Sequence, residues 1–184
     1  MLCGLGSMLR VRSLWAFALA AMLFVPAIAN AQFKTGDWEL TLGATAANGP
    51  NFDGVSGGGT GSVGYFFTPS LELGFRQGVQ YSDIGAGGNG NGSSLRLESD
   101  VPLDYHFDLG RWQPFVGVNI GYIYGDFGHN TFEAGPEAGV KWFANDTTFL
   151  YGIVDYEFPF DKHSNDNAFS DGIFNYGIGV GFRF

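Results

Sequence analysis

The sequence predicts an all-β chain that closes into an eight-stranded antiparallel up-and-down transmembrane β-barrel. Three observations predict it. Residues Phe174 to Phe184 read F-N-Y-G-I-G-V-G-F-R-F, with apolar or aromatic side chains at every even position and small or polar ones at every odd position. That period of two marks an extended strand with two unlike faces. Glycine (30 residues) and aromatics (17%) are abundant while charged residues are scarce at 15%, which suits neither a disordered chain nor a helical bundle. Seven further segments upstream repeat the alternation, and their connections are long and short by turns.

Residues 1–31 stand apart. Arg10 and Arg12 precede an apolar run from Leu14 to Ile28, and Ala29-Asn30-Ala31 has the small-residue pattern of a cleavage site. The run is short for a membrane helix, which needs about 20 apolar residues. Residues 1–31 therefore read as a cleaved signal peptide, with Met8 an alternative start, and residues 32–184 as the barrel domain. The only cysteine, Cys3, falls in the removed part, so no disulfide or thiol chemistry is expected. Without Arg10 and Arg12, 7 basic residues face 18 acidic ones, a net charge of −11. An acidic chain with no basic stripe is a poor partner for nucleic acid. No later stretch suits a membrane helix, so a membrane crossing must use a closed barrel, in which every backbone group is paired.

In chain order, the first strand is Trp38 to Ala46, with Trp38, Leu40, Leu42 and Ala44 on one face and Glu39, Thr41 and Gly43 on the other. After a Gly/Asn/Asp-rich loop, the second strand, Gly59 to Phe67, sets Val63, Tyr65 and Phe67 against Thr60, Ser62 and Gly64. Thr68-Pro69-Ser70 is a tight turn, because proline presets φ and cannot donate to a ladder. The third strand, Leu71 to Tyr81, sets Leu73, Phe75 and Val79 against Glu72, Gly74, Arg76 and Gly78. Gln77 falls on its apolar face, which predicts a bulge or a partner contact there. Asp83 to Ser93 is a low-complexity loop.

The fourth strand, Ser94 to Tyr105, sets Leu95, Leu97, Val101 and Leu103 against Arg96, Glu98 and Asp100, and His106 to Arg111 turns the chain. The fifth, Trp112 to Tyr124, opposes Val116, Val118, Ile120 and Tyr122 to Gly117, Asn119 and Gly121. In the sixth, Thr131 to Trp142, Glu133, Gly135, Glu137, Gly139 and Lys141 form the polar face, and Pro136 sits awkwardly for a paired strand. The seventh, Thr148 to Phe160, sets Leu150, Val154, Tyr156 and Phe158 against Tyr151, Asp155 and Glu157. The last loop, Asp161 to Asp171, leads into the closing strand. Long loops on one side and tight turns on the other are the habit of barrels that cross a membrane.

Size and charge decide which face is inside. An eight-stranded barrel is just wide enough to be filled by side chains, and rows of Trp, Tyr, Phe and Leu would overfill it. The predicted lumen therefore holds the glycines and a polar network of Glu39, Glu72, Arg76, Arg96, Glu98, Glu137, Lys141, Asp155, Glu157 and Arg183. Confined charges must pair, because an isolated buried ion costs several kcal/mol. The expectation is a salt-bridged plug whose excess of acid needs waters or protonated carboxyls. Aromatics near the strand ends form girdles: Trp38, Phe67, Trp112, Trp142 and Phe184 on the turn side, and Tyr81, Tyr122 and Phe158 on the loop side.

The signal, the eight alternating strands, the segment G-Y-F-F-T-P-S-L-E-L-G (Gly64 to Gly74) and the ending G-V-G-F-R-F (Gly179 to Phe184) resemble small outer-membrane β-barrel proteins of Gram-negative bacteria. That group includes OmpX-like, OmpA-transmembrane-like and opacity-type surface barrels. The resemblance spans Gln32 to Phe184 and rests on patterns rather than an exact signature. It implies an outer-membrane location reached through the periplasm, contact with outer-membrane lipid and lipopolysaccharide, and a possible extracellular partner held by the loops. It also implies that Tyr176, Ile178, Val180, Phe182 and Phe184 form a C-terminal assembly signal for the barrel-insertion machinery. It does not imply one function, since members serve as adhesins, anchors, small channels and enzymes.

Chemistry finds little footing. Small barrels that deacylate lipid A carry a His and a Ser two residues apart near the C-terminus, whereas His163 and Ser164 are adjacent here. On an extended strand adjacent side chains point to opposite faces, so the His cannot act as base for the Ser. Asp155 and Glu157 share a face and could mimic a glycosidase pair, but read better as salt-bridge partners. His106 and His129 look isolated, without zinc spacing. Asp161, Asp166 and Asp171 lack EF-hand spacing and read as solvated acids. Gly85 to Gly92 lacks the Lys and helix of a phosphate loop. No catalytic residue, metal site or cofactor is expected. The reading is a non-enzymatic membrane barrel with a structural or surface-interaction role. A small passive channel and a lipid-modifying enzyme are the alternatives.

Overall fold

The structure is a computed structural model that describes residues 33–48, 56–83, 93–125, 130–160 and 172–184. The signal segment, its cleavage site, the His163–Ser164 pair, His129, Gly85 to Gly92 and the acids Asp161, Asp166 and Asp171 lie outside the described residues. Eight strands follow one another: β1 (Trp38–Asn48), β2 (Ser56–Thr68), β3 (Leu71–Asp83), β4 (Ser93–His106), β5 (Trp112–Gly125), β6 (Thr131–Phe143), β7 (Thr148–Pro159) and β8 (Ile173–Arg183). Each pairs antiparallel with its neighbours, and β1 pairs with β8 to close the barrel. Most strands run one to three residues further than alternation alone predicts, because ladder pairing continues past the last apolar residue into the loops.

Closure is completed at the chain's ends, where Trp38 and Phe184 exchange two backbone hydrogen bonds of 2.9 Å each. A barrel closed this way has no open edge, the condition for placing backbone in hydrocarbon. Side-chain oxygens build the short turns. Thr68 Oγ1 accepts from the amides of Ser70 (3.3 Å) and Leu71 (3.0 Å). Asp108 Oδ1 accepts from the Gly110 amide at 3.0 Å, and Gly110 supplies a φ of 73°, a region glycine enters without steric cost. Asn145 Oδ1 accepts from the amides of Thr147 and Thr148 at 2.9 and 2.8 Å. Such side-chain caps are why Thr, Asp and Asn sit at these corners.

The outer face is predominantly apolar. Leu42, Val118, Ile120 and Ile178 are each more than half exposed, as is expected where lipid rather than water is the neighbour. Among the described residues no helix is long and apolar enough to cross a membrane. Rings gather at both rims, with Trp38 near Tyr65 (5.0 Å between centroids) and Trp112 near Trp142 (6.4 Å) on the turn side. On the loop side Tyr122 meets Phe132 (4.8 Å) and Tyr156 meets Phe158 (4.8 Å).

Two sequence expectations change, and a third holds by a local adjustment. His106 is the inward-facing last residue of β4 rather than the start of a turn. Gln77 sits at no bulge: it pairs in register with Gly61, and the one register shift in the β2–β3 ladder lies on β2, between Phe66 and Thr68. Instead it is satisfied on the outer face, where its Nε2 donates to the Glu98 carbonyl (2.7 Å) and the Tyr124 hydroxyl (3.1 Å), and Ser99 Oγ donates to its Oε1 (2.7 Å). Pro136 remains in a paired strand by facing Val118 of β5, while the β6–β7 ladder skips from Ala134 to Glu137. Proline lacks the N–H that rung would need.

Candidate functional site in the barrel lumen

Alternation sends the polar row of every strand inward, and the glycines in that row make room for its long members. A Cβ at Gly64 would meet the Glu72 carboxylate, one at Gly117 the Asp104 carboxylate, and one at Gly139 or Gly181 the rings of Phe115 or Phe149. Glycine is therefore used here as absent volume. The result is a lumen packed in three tiers.

The tier at the turn side is an aromatic lid. Phe33, just ahead of β1, stacks on Phe66 with centroids 3.9 Å apart and planes 12° from parallel. Phe143 and Phe149 meet the same ring edge-on at 5.4 and 6.1 Å, and all four are buried. Beneath the lid, Lys141 Nζ donates to Glu39 (2.6 Å) and Glu72 (3.0 Å). Its other side faces the rings of Phe33, Phe66, Phe115 and Phe149 at 5.2–5.6 Å, within reach of the cation–π attraction. His106 Nε2 pairs with Glu72 Oε2 at 2.8 Å, so a residue that looks isolated in the sequence belongs to the network.

In the middle tier Arg76 on β3 makes a two-pronged contact with Glu137 on β6, at 2.9 and 3.2 Å, the strong planar geometry of this pair. Asn119 donates to the same carboxylate at 2.9 Å, and Asn175 donates to Asp155 at 2.8 Å. The loop-side tier is centred on Arg96, whose Nη2 lies 2.7 Å from Glu98, 3.2 Å from Glu133 and 3.1 Å from Glu157. Against these three bases the tiers hold nine acids: Glu39, Glu72, Glu98, Asp100, Asp104, Glu133, Glu137, Asp155 and Glu157. Solvent space of about 60 Å³ runs beside the small residues of β1, β2 and β8, among them Thr41, Thr45, Thr60, Ser62 and Gly177. It holds a few water molecules at most.

Nine of the ten predicted lumenal residues are brought together in these tiers. Arg183 is the correction: it lies at the turn-side mouth, partly exposed, 3.4 Å from Asp37. Glu133, Asp100 and Asp104 are buried in the lumen beside the predicted acids, and Glu133 shares Arg96 with them. Their inward phase is the sequence signal that finds them. The even row Tyr176, Ile178, Phe182 and Phe184 points outward, with Val180 half-buried.

No protein-family profile matches this chain, and no curated protein sequence matches it. Solved structures do. Outer membrane protein OprG of Pseudomonas aeruginosa aligns with a TM-score of 0.56 at 14% identity, covering 84% of this chain and 98% of that one. The N-terminal β-barrel domain of Pseudomonas aeruginosa OprF gives 0.54 at 20%, covering 82% and 98%. Neisserial surface protein A gives 0.56 at 12%, covering 82% and 96%. The fold is thus that of the small eight-stranded outer-membrane β-barrels. At these identities the likeness concerns the fold alone.

Proposed function

We propose that this chain is an outer-membrane protein of a Gram-negative envelope, exported through the periplasm, whose barrel anchors it rather than conducts. Its role is structural or lies in surface interactions made by its loops, and it is not an enzyme. One observation carries the reading: Lys141, Arg76 and Arg96 each tie opposite walls together across the lumen, beneath a four-ring lid. Such crossed pairs hold their partners because freeing one buried charge costs several kcal/mol. A wide steady channel needs all three to break.

The partners that follow are lipopolysaccharide and lipid around the apolar belt, and the barrel-insertion machinery, which would read the outward row ending at Phe184. Fold likeness to Ail, the attachment invasion locus protein of Yersinia pestis, at 11% identity and a TM-score of 0.52, is compatible with surface work but transfers no ligand. Planar-bilayer recording tests the reading. Rare or no conductance steps are expected, and frequent large steady steps would refute it. A narrow path for water or small ions is the second reading, favoured by the solvent space beside Thr41, Thr45 and Thr60. Small steps that vanish in Thr60→Phe would favour it.

A further inference from the structure

The loop-side tier holds more negative charge than its one guanidinium can answer. Ligand oxygens from Glu98, Asp100, Glu133 and Glu157 all lie within 4.8 Å of one another, and all four residues are buried. Arg96 covers three of them and takes both oxygens of Glu133, at 3.2 and 3.3 Å. Asp100 is different. It is 0% exposed, and neither of its carboxylate oxygens has a hydrogen-bond partner. Glu157 Oε1 is likewise buried without one. A wholly buried carboxylate with both oxygens bare is costly, and here it is aimed into a nest of three more.

We propose that Asp100, Glu98 and Glu157, with Glu133 alongside, bind one divalent cation of the Ca²⁺ class, with Arg96 as the fixed internal counter-charge. All the donors are carboxylate oxygens, which suit hard cations and not the softer metals that favour His or Cys. Ca²⁺ binds oxygen at about 2.4 Å, so donors on opposite sides of one ion stand about 4.8 Å apart. One oxygen from each of the four side chains falls within that span. Mg²⁺ demands a tighter octahedron and keeps its waters. The site asks nothing of the loops. The Asp100 side chain occupies the space that glycine leaves at Gly121 on β5, so the donor that completes the nest is seated by the barrel wall itself. The inference stands whether or not the barrel conducts.

The experiment uses the refolded barrel domain in detergent, stripped with chelator and titrated with CaCl₂ by calorimetry, with thermal unfolding measured alongside. One saturable Ca²⁺ per barrel is expected, with a rise in unfolding temperature. Asp100→Asn is expected to weaken that binding at least tenfold and to remove the rise. Glu157→Gln serves the same purpose should Asp100→Asn not fold. Asp108→Asn, in a short turn, should bind as the parent does. No saturable binding by the parent would overturn the proposal, leaving protons to balance the tier. So would binding that both variants retain, since the ions would then sit elsewhere.

Discussion

Lys141 on β6 reaches across the lumen to Glu39 on β1, with 2.6 Å between ammonium nitrogen and carboxylate oxygen, although 102 residues separate them. The same nitrogen binds Glu72 on β3 at 3.0 Å. One side chain therefore stitches three strands together under the aromatic lid. Lys141→Met leaves two buried carboxylates without their cation and is expected to cost about 3–5 kcal/mol, measured by urea titration of the folded barrel in lipid vesicles. Adding Glu39→Gln and Glu72→Gln should recover part of the loss, because no bare charge is then left behind.

The lid should be separable from the network. Phe33 lies ahead of the strands, so Phe33→Ala leaves every ladder intact while removing the ring that stacks on Phe66. A loss of about 3 kcal/mol is expected, at the low end for deleting a buried Phe, with the heat-modifiable gel shift of the folded barrel preserved at room temperature.

Glycine at position 181 is expected to be a matter of volume. A methyl there would overlap the ring of Phe149, so Gly181→Ala should destabilise by about 1–3 kcal/mol, the usual cost of overpacking. Phe149→Leu in the same chain should return most of it. Thermal unfolding of the single and double variants checks both statements.

On the outer face, Gln77, Ser99 and Tyr124 satisfy one another. Gln77→Leu removes the amide that both hydroxyls share, leaving them only each other in an apolar setting, and is expected to cost about 1–3 kcal/mol. The triple variant Gln77→Leu, Ser99→Ala, Tyr124→Phe should be close to neutral, since no polar group is then left unpaired. Refolding equilibria in vesicles distinguish the two.

How far the sequence reaches is visible in these same residues. Alternation places Lys141, Glu39 and Glu72 on the inner row, because a period of two is a local property. It does not say that they touch. Contacts across a barrel depend on the stagger of all the strands between them, and that is a property of closure. The lid shows a second limit. Phe66 stands between Tyr65 and Phe67, so three rings in succession hide which one turns inward, and Phe33 precedes any periodic segment. His106 looks solitary for the same reason as Lys141: its partner Glu72 is on another strand. Asp100, Asp104 and Glu133 were within reach of the pattern, since each shares the phase of acids already assigned to the interior.

The central claim is that hydrocarbon surrounds the outward row while the polar row fills the cylinder. Ile178 is the most exposed aliphatic side chain on the closing strand, at 70%. A nitroxide attached at Ile178→Cys in residues 32–184, reconstituted in vesicles, reports its solvent through relaxation by oxygen and by a water-soluble nickel chelate. The structure predicts strong relaxation by oxygen and almost none by the chelate. Strong relaxation by the chelate at that position would mean that water bathes this face, and would contradict the account.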